Sequence, residues 1–278
     1  MPKRPSASRA VHQIKNQQDL RKVRDQDRNF AGTLTKGLMI LQTFVSTPRA
    51  QANSELAQRL GLSRPTVSRL CQSLQALGFL DHDERLNRYF IGPAAVALGY
   101  PYVVNTPLPA QIRPAMQSLA DRFGGAVSVG VTMDLDTVFV ETCAHEKGTL
   151  ARPAIGAVRA IVETAMGRAW LARLPAAERK NFLARAKAQR PDEYAQALAG
   201  LKESMANYEK RGFAVNLGDG GFGVLAVGVA SQLHHGPRPL LFNCAVPGYH
   251  AKPADLMEQI GPSLVQLVSM ANRIARQR

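Results

Sequence analysis

"SELAQRLGLSRPTVSRLCQSLQALGFL", residues 54–80, contains the clearest structural pattern in the chain, two apolar-periodic runs separated by a glycine. Ser54 is expected to cap a first helix, and Gly61 to end it in the left-handed conformation that glycine adopts without strain. Ser63 is expected to cap a second helix that ends near Gly78, with a proline tolerated in its first turn. Two helices joined by so short a turn are typical of a helix-turn-helix.

The two faces of this helix pair differ in chemistry. Ala57 is small enough for the helices to approach closely, and the inner face is expected to comprise Leu56, Leu60, Val67, Leu70 and Leu74. The outer face of the second helix is expected to present Ser63, Arg64, Thr66, Ser68, Arg69 and Gln72. Arginine can bond guanine bidentately, glutamine can do so with adenine, and hydroxyls can bond phosphates or base edges. The pattern predicts a helix that reads the major groove of double-stranded DNA.

The segment before this pair, "TLTKGLMILQTF", predicts a further helix. Leu38, Leu41 and Val45 recur at spacings of three and four, which places them on one stripe. Together with the strands that follow, this helix completes a winged helix-turn-helix over residues 33–92. A plain α-hairpin with a charged outer face is the alternative.

Two short strands are expected after the helix pair, around Phe79–Leu80 and Tyr89–Ile91. The charged turn between them carries Arg85, Asn87 and Arg88. Such a turn can place a basic wing on the DNA backbone or in the minor groove.

The charge of the chain fits a polyanionic partner. The formal net charge is +14 and the isoelectric point is near 10.2. The first hundred residues hold 15 Lys and Arg against seven Asp and Glu, a net charge of +8. Residues 1–32 are basic and poor in large apolar side chains, so a disordered or frayed extension is expected there. This extension lacks the apolar core of a signal peptide, and no run approaches the ~20 apolar residues of a membrane span, so we expect a cytoplasmic protein without a membrane partner.

The second half of the chain has a different character. Residues 93–110 predict a short linker helix followed by a proline-interrupted connection, and residues 111–278 alternate helical segments with apolar strands. The strands are expected at "AVSVGVTMDLDTVFVE", "GFAVNL", "VLAVGVAS" and "PLLFNCAV", with helices on either side of them along the chain. This order predicts an α+β fold with an antiparallel sheet flanked by helices.

Signatures of catalysis or metal binding are weak. The sequence has no G-x-S-x-G, P-loop or H-E-x-x-H motif. His234 and His235 are adjacent and would point apart, and a group of Glu141, Cys143 and His145 would require a strand to continue into a turn. The three cysteines lie far apart and are expected to be buried apolar side chains. No catalytic residue, metal or cofactor is therefore predicted.

The chain resembles the isocitrate-lyase-regulator (IclR-type) transcription factors over about residues 33–275. The resemblance lies in "TLTKGLMILQTF", the helix pair quoted above, "YFIGPAAVALG", "GRAWLARLP" and "YEKRGFAV". It implies a sequence-specific regulator that forms a dimer or tetramer. It also implies a linker helix leading to a GAF-like domain that binds a small organic effector and oligomerises.

The resemblance also implies where the effector pocket lies. Its walls would be the helix start in "ETAMGRAWLA", a loop and two later strands, which correspond here to Thr164, Ala165, Met166, Gly167, Asp219, Val224, Leu225, Asn243 and Ala245. A helix start exposes N–H groups that suit a carboxylate. Val224 and Gly228 stand where the family has Cys and Pro, and Asn243 and Ala245 stand where it has serines. These departures suggest a more apolar pocket for an aromatic or longer-chain acid.

Three other interpretations remain open: purely structural packing, a domain that only oligomerises, and a dinucleotide-binding loop. The small residues at the helix start can serve only close packing, and Val224, Leu225 and Ala245 can be plain core. The domain can also be one that only oligomerises.

The third concerns Gly218, Gly220 and Gly223, which match the G-x-G-x-x-G fingerprint of a dinucleotide-binding enzyme. That fingerprint requires a helix after the last glycine, whereas "VLAVGVAS" is typical of a strand. A hairpin loop is therefore the preferred interpretation.

Overall fold

The computed structural model describes residues 16–26, 30–108, 110–146, 153–219 and 223–277. The chain divides into two compact units, Met1–Val104 and Asn105–Arg278. The boundary falls at the end of the predicted linker helix, so that helix belongs to the first unit.

The first unit is a winged helix-turn-helix, called the head below. It consists of α1 (Gln17–Gln26), α2 (Gly32–Ser46), α3 (Asn53–Leu60), α4 (Arg64–Ala76), β1 (Leu80–Asp83), β2 (Arg88–Ile91) and α5 (Pro93–Val104). β1 and β2 pair antiparallel, with Leu80 opposite Ile91. All three helices predicted for residues 33–92, now α2, α3 and α4, and both predicted strands are present.

The helix-turn-helix forms largely as the capping pattern predicts. Gly61 ends α3 with φ +67°, and the Ser63 hydroxyl accepts a hydrogen bond from the Thr66 N–H at 3.4 Å. The prediction that Ser54 caps α3 is wrong, because the helix begins at Asn53. There the Glu55 carboxylate accepts from the Ala52 N–H at 3.0 Å, which satisfies a donor that would otherwise lack a partner.

The core of the head corrects the predicted orientation of α2. Met39, Ile40 and Phe44 are buried against Leu56, Val67 and the other predicted inner residues of α3 and α4. Leu38 and Val45 are instead 48% and 58% exposed. Apolar side chains surround most of this helix, so their spacing alone did not identify the inner face.

Part of the N-terminal extension is ordered. Residues Gln17–Gln26 form α1, and Leu20 is buried in the core of the head. The extension predicted to be disordered or frayed therefore contains a helix; residues 1–15 and 27–29 lie outside the described ones.

The second unit is an α+β domain built on a six-stranded antiparallel sheet of order β5-β4-β3-β8-β7-β6. Its strands are β3 (Ala126–Met133), β4 (Asp136–Ala144), β5 (Val158–Ala160), β6 (Ala214–Asn216), β7 (Val224–His235) and β8 (Arg238–Pro247). Its helices are α6 (Ile112–Phe123), α7 (Ala165–Arg173), α8 (Ala176–Gln189), α9 (Pro191–Arg211), α10 (Pro253–Asp255) and α11 (Gly261–Arg276). A π-helical turn, Leu256–Ile260, joins the last two helices.

The two faces of this sheet pack against different helices. α7 lies on one face, called the α7 face below, where an added Cβ on Gly228 would lie 2.2 Å from the Ala165 carbonyl carbon. α6 and α11 pack on the opposite face, where the Cys143 thiol lies 3.6 Å from the Arg113 carbonyl oxygen. None of the helices in the described segments is long and apolar enough to cross a membrane.

Candidate functional site

The predicted DNA-reading residues lie together on the outer face of α4. Ser63, Arg64, Arg69 and Gln72 are exposed, and Thr66 and Ser68 are half-buried. The inner residues of the same helix, among them Val67 and Cys71, are fully buried. Because burial fixes the inner face, the polar side chains must face outward near the start of the helix.

The predicted wing is a tight turn between β1 and β2. Asn87 adopts a left-handed conformation, φ +49°, and its carboxamide oxygen lies 3.1 Å from His82 Nε2. Arg85 is exposed at this turn.

Arg88 does not extend from the wing as predicted. Its guanidinium bonds the Glu55 carboxylate at 3.1 Å and the Ala50 carbonyl at 3.0 Å. The pKa of Glu55 is lowered, first by the bond from the Ala52 N–H and further by Arg88. Arg88 therefore joins the wing to α3, and Arg85 and Asn87 remain as the predicted wing contacts.

The start of α7 is the element around which the predicted effector residues gather. Thr164, Ala165, Met166 and Gly167 are all buried, and the Thr164 hydroxyl caps the Gly167 N–H at 3.0 Å. The first N–H groups of a helix have no acceptor within it. The helix start is therefore a site where an anion is favoured.

A row of residues crosses the α7 face beside this helix start. Ser128 pairs with Thr142 on one side and with Asn243 on the other, and Asn243 pairs with Gly228, on which Ala165 packs. Directly opposed residues of an antiparallel pair project from the same face. Sequence reasoning missed Ser128 and Thr142, although Ser128, a hydroxyl between two valines in β3, was a visible signal.

The neighbouring row is apolar. Ala126, Ala165, Ala226 and Ala245 form a buried cluster, with Val224 half-buried against it. Leu225 belongs to the opposite face because successive residues of a strand alternate, so its assignment to the pocket is wrong. Val224 and Ala245 do lie on the α7 face.

Asp219 has a structural partner instead of an open position in the pocket. Its carboxylate pairs with the guanidinium of Arg168, which is fully buried and also bonds the Val162 and Val215 carbonyls at 2.7 and 3.1 Å. Gly200 makes room for the pair, because a Cβ there would meet both side chains. The assignment of Asp219 as an effector contact is therefore replaced by one as the counter-ion of Arg168.

The glycine-rich segment is a connection between two strands. β6 and β7 pair antiparallel on either side of it, and Gly218 and Gly223 have φ of +96° and +64°. Gly220 lies outside the described residues. Since a strand follows Gly223, the dinucleotide interpretation is wrong for this loop.

Titratable groups give no sign of catalysis in the described parts of the chain. All three cysteines are free and buried, and burial raises the pKa of Cys71 and of Cys244 to about 12. Burial also raises the pKa of Glu163, and nearby Glu193 adds to the shift. The described residues contain no cluster of His, Cys, Asp and Glu suited to a metal.

Two family models match the chain. The IclR helix-turn-helix domain matches residues 33–84, and the bacterial transcriptional regulator IclR C-terminal domain matches residues 100–236. The crystal structure of an IclR family transcriptional regulator from Brucella abortus shares 30% identity and a TM-score of 0.80, covering 91% of this chain and 95% of that one.

The chain belongs to the IclR family of bacterial transcriptional regulators.

Other relatives of this IclR-family chain are regulators as well. The HTH-type transcriptional regulator TsaQ1/TsaQ2 of Comamonas testosteroni is 29% identical over 240 residues, 85% of each chain. The transcriptional repressor IclR of Escherichia coli K12 is 28% identical over 188 residues, 66% of this chain and 68% of that one. The prediction of a DNA-binding regulator rather than an enzyme is confirmed.

A further solved IclR homolog shares the fold at lower identity. It comes from Microbacterium hydrocarbonoxydans and is complexed with 4-hydroxybenzoate. Its identity is 16% and its TM-score 0.65, over 87% of this chain and 99% of that one.

Proposed function

We propose that this IclR-family regulator reads a pseudo-palindromic operator with the outer face of α4 and the wing, under the control of a small organic acid. The observation that supports DNA reading is the exposed face of α4, where Arg64, Arg69 and Gln72 lie near Ser63, the residue that caps the helix. In a helix-turn-helix these first turns of the second helix contact base edges. Arg85 and Asn87 at the wing turn are assigned to the backbone or the minor groove.

A mobility-shift assay with Arg69→Ala tests the assignment. Loss of a bidentate contact to guanine removes about 1–3 kcal/mol, so operator affinity should fall about 5-fold to 150-fold, with relaxed preference at one base pair. Gln75→Ala is the matched control, because Gln75 is exposed on the same helix near its C-terminal end.

Deletion of residues 1–15 distinguishes sequence-specific DNA binding from non-specific electrostatic attraction to DNA. It leaves α1, whose Leu20 is buried in the head, in place. We expect weaker binding to all sequences with little change in base preference. If the deletion abolishes binding while Arg69→Ala changes neither affinity nor preference, α4 is not the reading helix.

The effector is proposed to bind between the start of α7 and the strands β3 and β8. Support comes from the buried α7 N-terminus and the polar row Thr142–Ser128–Asn243 on the same sheet face. A structural relative has been solved in complex with 4-hydroxybenzoate, and a small carboxylate effector is consistent with that. Thermal-shift screening with small carboxylates tests it, since a specific ligand raises the melting temperature.

A domain that only oligomerises is the second candidate. Gly228 and the buried alanines allow α7 to pack directly on β7, which is sufficient reason for small residues there. A screen in which no carboxylate raises the melting temperature or changes operator binding would favour it.

Self-association of the heads is proposed through an apolar surface on α2 and α5. The surface contains a groove of about 350 Å³ lined by Leu38, Leu41, Gln42, Phe44, Val45, Ile91 and Ala95. Val96, Leu98 and Tyr100 of α5 are also exposed. Apolar patches of this kind mark interfaces, and a second head would supply the paired recognition helices that a palindrome requires. The assembly is expected to act in the cytoplasm.

A further inference from the structure

Asn243 contains a buried polar atom that no group in the described structure satisfies. Its carboxamide oxygen, Oδ1, has no hydrogen-bond partner, and only 7% of the residue is exposed. Buried acceptors in folded proteins are almost always paired, so an unpaired one beside a candidate site indicates a missing donor.

The strand register places Asn243 on the same sheet face as the start of α7 and next to the strand on which α7 packs. Asn243 lies directly opposite Gly228, and Gly228 is the residue on which Ala165 packs. Neighbouring strands are about 4.8 Å apart, so the backbone of Asn243 lies about one strand spacing from that of Gly228, over which the helix begins. A ligand held at the α7 N-terminus therefore needs only a few bonds to reach Asn243.

Ser128, on the other side of Asn243, has a hydrogen-bond donor that the other side chains of the row do not use. The Ser128 hydroxyl oxygen accepts from the Thr142 hydroxyl at 3.0 Å, which leaves its own O–H to donate. A carboxylate can accept from Ser128 and from the α7 N–H groups. With the carboxamide oriented as it is here, a carboxylate has no donor for Asn243 Oδ1, so a simple acid would leave that oxygen unpaired.

We propose that the effector is a short carboxylic acid with a hydroxyl or amino group two or three bonds from the carboxyl carbon, and that Asn243 selects that donor. The carboxylate lies at the α7 N-terminus, and the hydroxyl or amino group donates to Asn243 Oδ1. This inference rests on the proposed effector function. It replaces the expectation of an apolar pocket for a longer acid.

Titration calorimetry with matched ligand pairs tests the inference. Lactate is compared with propionate and 3-hydroxybutyrate with butyrate; 4-hydroxybenzoate and benzoate form a pair whose hydroxyl lies across a ring from the carboxylate. In the wild-type protein the hydroxyl should tighten at least one short pair about tenfold or more, since a site built to bond a hydroxyl discriminates against its absence. The aromatic pair should show no such gain.

Asn243→Ala should reduce the short-pair preference to less than about threefold, mainly by weakening the hydroxylated member. Thr137→Val is the matched control. It removes another buried oxygen without a partner, in β4 outside the row, and should leave the preference unchanged. A cooperative urea unfolding transition of the second unit in the ligand-free Asn243→Ala protein confirms that it is folded; if it is not, Asn243→Ser replaces it and should lower the preference.

The outcomes separate the two proposals. If carboxylates bind and release the operator but the hydroxyl adds nothing in the wild type, or its advantage survives in the folded variant, the role of Asn243 is wrong and the effector function stands. If no acid of any pair binds, the effector function fails as well.

Discussion

At the scale of single residues, Arg168 is a charged group that the second unit buries completely. A buried guanidinium is tolerated only when its charge is paired and its N–H groups are bonded. Asp219 supplies the charge, and the carbonyls of Val162 and Val215 accept from the remaining donors. The pair thus ties the segment before α7 and the strand β6 to the loop that begins at Leu217.

Asp219→Asn should destabilise the second unit. Removing one partner of a buried pair leaves an uncompensated charge, and because Asp219 is a quarter exposed we expect about 2 kcal/mol, below the full cost of a dry pair. Urea denaturation at neutral pH measures the loss.

Asp136→Asn breaks a comparable pair with Arg190 on the β4 side of the unit and serves as the control. Both variants should lose stability, and only Asp219→Asn should also weaken carboxylate binding, because only its loop adjoins the start of α7. Equal effects of the two variants on binding would show that the Arg168 pair is a general stabiliser.

At the scale of elements, α7 can pack closely on β7 only because residue 228 is a glycine. Gly228→Ala would place a Cβ 2.2 Å from the Ala165 backbone, so the helix start would have to move. Overpacking of this kind costs about 1–3 kcal/mol, measured as a lower midpoint of urea unfolding. Gly37→Ala, in α2, has open space around the added atom and should be neutral or stabilising. A neutral Gly228→Ala would mean that α7 is loosely held.

Elements were more predictable from the sequence than their faces. Gly61 located the end of α3, Ser63 located the start of α4 and the glycines located the β6–β7 connection, because these signals act through the local backbone. The outward face of α4 was also predictable, since its polar and apolar residues separate cleanly. The inner face of α2 was not, because apolar residues occupy most of its circumference.

Pairing across the sheet could not be predicted from the sequence either, because it depends on contacts between distant parts of the chain. Strand register decides that Ser128 lies beside Asn243, and it places Leu225 on the opposite face. The partner of Asp219 was hidden as well, because Arg168 lies 51 residues earlier in the chain. Contacts at such separation arise from the tertiary fold.

At the scale of the whole molecule, the apolar surface of α2 and α5 is the one through which we propose that the heads associate. Leu38→Glu should shift the chain toward the monomer in light scattering, since a charge in an apolar interface loses hydration without gaining a partner. Operator affinity should fall with it, because paired heads bind two half-sites together.

Leu77→Glu is the matched control, since Leu77 is exposed at the end of α4 and does not line the groove. It should leave the mass unchanged. An unchanged mass for Leu38→Glu would mean that the heads do not associate through α2.

The three buried thiols allow local unfolding to be measured separately in each unit. Cys71 is the thiol of the head, and Cys143 and Cys244 belong to the second unit. A thiol reagent in native buffer can modify each only when its surroundings unfold, so labelling rates followed by mass spectrometry give separate local stabilities without any mutation. An effector bound in the second unit should slow labelling of Cys143 and Cys244, and operator DNA should slow that of Cys71, so one experiment can locate each ligand on the chain.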